Sequence, residues 1–205
     1  MKLKEKNEKR YITFDPVKNA WTISPDFPKP TETKVYQEII YQCLNRHFPG
    51  EVRKEWSVSA GATDAFRHRS IYAPRLDLAV GPFNTKIENL PETHSKISIY
   101  GFVHPFVQRL IAKEQNLQTN KNPRCRLAIE MSFSGSSKHI LGDCTNASMM
   151  GLIGIVIAGR KTYHKVSRIL NYARLIREVG KAPADLFNNL VVFSLDDFLR
   201  FCPYK

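Results

Sequence analysis

A three-layer α/β fold, with a central mixed sheet flanked by helices, is what this chain predicts, and three observations point there. Two segments around Asp77 and Glu130 alternate apolar and polar residues as strands do. Two others, over 33–48 and 162–179, repeat apolar residues at helical spacing. Two short runs, Leu152 to Ala158 and Leu190 to Phe193, are almost continuously apolar, the pattern of parallel strands covered on both faces.

Taken in order, residues 1–32 are charged and then proline-rich (Pro16, Pro25, Pro28, Pro30), and read as an irregular N-terminal arm. The remainder, 33–205, reads as one domain with an insertion over 83–124. Val35, Ile39, Ile40, Cys43 and Leu44 make the stripe of a helix over Thr33–Phe48, which Pro49-Gly50 ends. Glu51 to Ser59 reads as a strand with Val52, Trp56 and Val58 inward, and Gly61 to Ala73 as a loop. The Asp77 strand follows and stops at Gly81-Pro82. Inside the insertion a strand is expected over Lys96–Phe102, a helix over His104–Asn116 and a loop over 118–123. After the Glu130 strand, Ser134-Gly-Ser-Ser137 suits a helix N-cap, and the next helix sets Ile140, Leu141, Cys144 and Ala147 on one side. A long helix over Thr162–Val179 buries Val166, Ile169, Leu170, Ala173 and Ile176, with Gly180 as its stop. Ser194-Leu-Asp-Asp197 opens a last short helix. The early strands form a meander, and the later helices act as crossovers onto parallel strands.

Lysine and arginine number 31 against 19 acids, a net charge of +12. Such an excess favours a phosphate-rich partner through attraction and counterion release. The longest apolar run, Met149 to Ala158, is half of what a membrane helix needs, and the first ten residues lack the apolar stretch of a secretory leader. An intracellular, cytoplasmic protein without membrane contact is expected. Cys43, Cys125, Cys144 and Cys202 are widely spaced with no C-x-x-C pair, so reduced, buried thiols are expected rather than a zinc site or a disulfide framework.

The chemistry sits in Arg75-Leu-Asp-Leu-Ala-Val80 and Arg126-Leu-Ala-Ile-Glu-Met-Ser-Phe133. An acid on a scaffold strand is poorly explained by stability, because burying an unpaired charge costs several kcal/mol, roughly. Two of them in a basic chain suggest a divalent-cation site that meets an anionic polymer. The alternative is that Asp77 is paired with Arg75 or Arg126.

Helix, three strands with Asp77 on the second and Glu130 on the third, then helix and strand, resembles the PD-(D/E)XK restriction-endonuclease-like superfamily from about Thr33 to Phe193. The resemblance implies a restriction-endonuclease-like fold and a Mg²⁺-dependent endonuclease, a hydrolase acting on DNA, with Mn²⁺ as a substitute ion. It implies that Asp77 and Glu130 bind the metal, with the carbonyl of Met131 completing the site and a helix-one acid, Glu38, reaching towards it. The family's lysine, two residues after the glutamate, is here Ser132. Lys138, at the start of the next helix, is its natural substitute, and Ser132 can hydrogen-bond a metal-bound water instead. A catalytically silent nuclease-fold protein that binds nucleic acid or a protein partner is the competing reading.

Several residues stay open between site and surface. Glu55 is a weaker acid candidate, and Glu38 reads equally well as a solvated helix acid. His139, Asp143 and Asn146 share the helix after Glu130, and Asn146 can face the site. Arg160, Lys161, Lys165 and Arg168 are candidates for the nucleic-acid surface. Ser134 to Lys138 lacks the G-x-x-x-x-G-K-[ST] spacing, which argues against nucleotide hydrolysis. Cleavage of both strands of a duplex would call for a homodimer.

Overall fold

The computed structural model describes residues 12–15, 20–23, 32–58, 74–84, 97, 103–114, 117–183 and 185–202. Among these, β1 (Ile12–Asp15) and β2 (Ala20–Ile23) pair as an antiparallel two-stranded sheet. An irregular arm was expected there. Both segments combine aromatic with β-branched residues, and that composition favours strands over irregular chain.

The main sheet has five strands in the order β3 (Val52–Ser57), β4 (Arg75–Val80), β5 (Cys125–Ser132), β6 (Gly151–Ala158) and β7 (Leu190–Ser194). The first three are antiparallel neighbours, and β5, β6 and β7 run parallel. This is an α/β architecture with a mixed sheet, as the patterning predicts. Helices α1 (Glu32–His47), α2 (Pro105–Lys113), α3 (Ser137–Met150), α4 (Tyr163–Glu178) and α5 (Leu195–Phe201) flank it. The amide of Asn84 donates to the Arg124 carbonyl at 2.7 Å, so the 83–124 segment leaves and returns at one place.

Side chains sort the helices into two layers. Ile40, Leu44 and Phe48 from the α1 region, Phe106 and Leu110 of α2 and Phe198 of α5 pack on Leu78, Ile129, Ile155 and Val191 of the sheet. On the other face, Ile140, Cys144 and Ala147 of α3 and Val166 and Ala173 of α4 meet Val156, Ala158 and Leu190. Along β5, Leu127, Ile129 and Met131 join the first layer. Alternation therefore turns Ala128, Glu130 and Ser132 to the α3 side. Gly154 lets α3 approach: a Cβ there would lie 2.7 Å from the Ala147 backbone.

Three expectations are corrected. Leu141 is exposed, because Ile140, Cys144 and Ala147 already define the buried stripe and position 141 lies about 100° round the helix from 140. Ile97, within the strand expected over Lys96–Phe102, is fully buried and helical; the rest of that strand and the 61–73 loop lie outside the described residues. Cys43 and Cys202 form a disulfide, with Cα atoms 6.1 Å apart. They are 159 residues apart in sequence, and only the packing of α1 and α5 on one face of the sheet brings them together. Cys125 and Cys144 are free and buried, as expected. Among the described residues no helix is long and apolar enough to cross a membrane.

Candidate metal centre

The ladder between β4 and β5 pairs Val80 with Leu127, Ala79 with Ala128 and Leu78 with Ile129. Continued one step, that register sets Asp77 opposite Glu130. Here the carboxylates enter the ladder. Asp77 Oδ2 accepts the Met131 amide at 2.7 Å, and the Asp77 amide donates to Glu130 Oε2 at 3.4 Å. In an extended strand the N–H and C=O of one residue face the same flank. The Met131 carbonyl therefore faces Asp77 as well.

Neighbouring elements fix both acids. From α3, Asn146 Nδ2 donates to Glu130 Oε1 at 3.2 Å. From α1, Gln37 Nε2 donates to the Asp77 carbonyl at 2.9 Å and to Glu55 Oε1 at 3.0 Å. Neither nearby arginine neutralises the pair. Arg75 is bound to Glu55 at 3.2 Å, and Arg126 to Glu51 at 3.0 Å. The pairing of Asp77 with an arginine, one of the two readings open from the sequence, is absent among the described residues.

Glu130 is only 5% exposed. Its burial, and then the charge of Asp77, push its carboxyl up to about 9. The Asp77 carboxyl is also raised, first by burial and against the pull of the Met131 amide; the Glu55 charge adds to the rise. Asp143 on α3 is raised by burial, and His139 and Ser132 counter it. Burial and mutual repulsion therefore hold protons on these acids above the ordinary carboxylate range, and a bound cation would favour their release.

Ser132, 1% exposed, follows Glu130 on the same face of β5. Its Oγ makes no hydrogen bond of normal geometry among the described residues, yet it lies near enough to Asp143 to favour that group's charged form. His139 Nε2 is 3.8 Å from Asp143 Oδ1. Lys138 is exposed in the first turn of α3 and touches neither Asp77 nor Glu130 among the described contacts. Glu38 turns elsewhere, to Lys54 at 2.9 Å and Gln42 at 3.1 Å. The helix-one residue at the acids is its neighbour Gln37, which the sequence reading missed. The only signal for it was a polar residue next to the helix stripe.

The basic residues are tied to the same end of the sheet. The Gly159 amide (3.0 Å) and the Thr162 hydroxyl both donate to the Ser132 carbonyl, anchoring the turn that carries Arg160 and Lys161. Lys165 Nζ donates to the Gly135 carbonyl at 3.1 Å, in the loop before α3. Arg160, Lys161 and Arg168 are exposed.

Among the described residues no three His, Cys, Asp or Glu side chains are grouped to hold a metal ion. Two carboxylates and a main-chain carbonyl remain as oxygen donors. That set suits a hard cation that keeps several waters, such as Mg²⁺, and does not suit zinc. Comparison with family models, with curated proteins and with solved structures gave no match for this chain.

Proposed function

We propose that the chain is a metal-dependent nuclease that hydrolyses phosphodiester bonds of DNA on the restriction-endonuclease-like plan. The observation that carries this reading is the convergence of Asp77 and Glu130, opposite each other on adjacent strands and unpaired with arginine. The element order supports it: α1, the antiparallel β3, β4 and β5, then α3 and the parallel β6 follow the family's sequence of elements. The net charge of +12 supports a polyanionic substrate.

In this mechanism Asp77, Glu130 and the Met131 carbonyl would hold Mg²⁺, or Mn²⁺ in its place. Such an ion would supply a more acidic bound water and would offset charge on the phosphate. Asn146 and the Met131 amide orient the two carboxylates. Ser132 lies on the face of Glu130, where its hydroxyl accepts or donates to the attacking water. Lys138, exposed in the first turn of α3, is the residue that would supply the positive charge Ser132 lacks. Arg160, Lys161 and Arg168 bind backbone phosphates beside the cleavage point. One site cuts one strand, so cleavage of both strands takes two copies.

The test is supercoiled plasmid incubated with Mg²⁺ or Mn²⁺. Metal-dependent nicking is expected, lost in Asp77→Ala and in Glu130→Ala; nicking that survives both substitutions removes this site. A second reading, a catalytically silent nuclease-fold protein that binds nucleic acid or a protein, is favoured by serine at position 132 and by the exposure of Lys138, which makes none of the described contacts with the acids. It predicts oligonucleotide or protein binding with no nicking under any metal.

A further inference from the structure

Surface apolar side chains scattered singly need no explanation, but aligned ones do. Among the described residues, Tyr172, Leu175 and Val179 are 64%, 55% and 57% exposed. They lie at spacings of three and four on α4 and its C-cap, and so share one outward line. The inner side of the same helix is satisfied by Val166 and Ala173, both buried in the second layer. One turn towards the N-terminus the same line carries Arg168, and Lys161 lies in the turn just before the helix; both are exposed. The face is thus apolar at its C-terminal end and cationic at its N-terminal end.

We propose that this outer face of α4 docks an acidic amphipathic helix of a partner protein. The partner's apolar positions cover Tyr172, Leu175 and Val179, and its carboxylates meet Arg168 and Lys161. Charge decides between occupants. Lys165 and Arg177 are held by Gly135, Leu186 and Asn188, which leaves Arg160, Lys161, Arg168, Arg174 and Lys181 exposed between 160 and 181 against a single acid, Glu178. A second copy laid on this face would bring like charges together, which is costly where water is excluded. A nucleic-acid strand would satisfy the cations and could stack on Tyr172, but it offers nothing aliphatic to cover Leu175 and Val179. An acidic helix with a leucine stripe meets both demands, as helix-in-groove partners do with anchors at i, i+3 and i+7. The proposal does not rest on the nuclease reading: none of the three apolar residues belongs to the acidic site, and because Arg168 and Lys161 also lie on the proposed DNA surface, the partner helix and DNA exclude each other there.

The experiment uses the full chain and a labelled synthetic peptide, a helix with leucines at i, i+3 and i+7 flanked by glutamates, followed by fluorescence anisotropy. Its control is a peptide of the same composition with the order scrambled. The ordered peptide is expected to bind, and Leu175→Glu to weaken it by about tenfold or more, the loss typical of a central anchor. Arg168→Glu is expected to weaken it less, with a reduced dependence on salt. Both positions are exposed, and an unchanged melting temperature confirms that the variants fold. Equal binding of ordered and scrambled peptides overturns the proposal, as does affinity untouched by Leu175→Glu. So does a dimer in sedimentation velocity that Leu175→Glu dissolves, which assigns the face to a second copy. Loss of single-stranded oligonucleotide binding in that variant also overturns it, assigning the face to nucleic acid.

Discussion

Glu130 is a carboxyl in a strand whose eight residues are all buried, with the Asp77 carboxyl beside it. Its proton is held up to about 9 in the folded chain, first by burial and then by the Asp77 charge, against an ordinary value of 4.5. The folded state therefore binds a proton between those values that the unfolded state has released. Stability must then fall as pH rises from about 4.5 to about 9, and Asp77 and Asp143, both raised, push in the same direction. In EDTA, the melting temperature is expected to decline across that range. Glu130→Gln should flatten the decline and raise stability at pH 8, while Mn²⁺ should stabilise the native chain at that pH but not the variant. Parallel pH curves for the two proteins would remove Glu130 as the strained acid. Lys138 is the other residue to test. Lys138→Ala is expected to collapse nicking while calorimetry still detects metal binding; unchanged turnover returns the role to Ser132 or solvent.

At the scale of elements, α3 carries half of the site. Ser136 caps it by accepting the His139 amide at 3.3 Å, and Ile140, Cys144, Ala147 and Met150 hold it to the sheet. That anchoring sets Asn146 on Glu130 and Asp143 beside Ser132. It depends on close contact, since a Cβ at Gly154 would strike the Ala147 backbone at 2.7 Å and Leu190 at 2.8 Å. Gly154→Val is expected to cost about 1–3 kcal/mol by denaturant unfolding, the usual penalty for overpacking, and to weaken metal binding by moving Asn146. The elements themselves were legible because burial imposes its period on the chain: β6 and β7 as apolar runs, α4 as a stripe around Val166 and Ala173. Asp77 and Glu130 were legible because a charge amid apolar strand residues has few structural uses. Gln37 was not, since neighbouring helix residues differ by about 100° and only the crossing of α1 over the sheet selects Gln37 over Glu38. Leu141 failed for a related reason: beside Ile140, its hydrophobicity does not reveal which of the two faces inward.

Across the whole molecule, the one link invisible to local pattern is the Cys43–Cys202 disulfide, which joins α1 to the residue that ends α5. Both sulfurs lie in the first core layer, with Leu44, Phe106 and Phe198. Glu130 faces the other side of the sheet, towards Asn146 of α3. The bond and the acids are therefore separable. Closing a loop of 159 residues' separation restricts the unfolded chain, and native disulfides commonly contribute about 2–4 kcal/mol in this way. Replacing both cysteines by serine is expected to lower unfolding free energy by about that amount. A reductant should lower the melting temperature of the native chain and leave the double variant unmoved. Metal affinity at Asp77 and Glu130 should stay unchanged at temperatures where both proteins are folded. Loss of metal binding in the folded double variant would mean that strain in the first layer reaches the site through β5, whose Ile129 and Met131 pack in that layer on either side of Glu130.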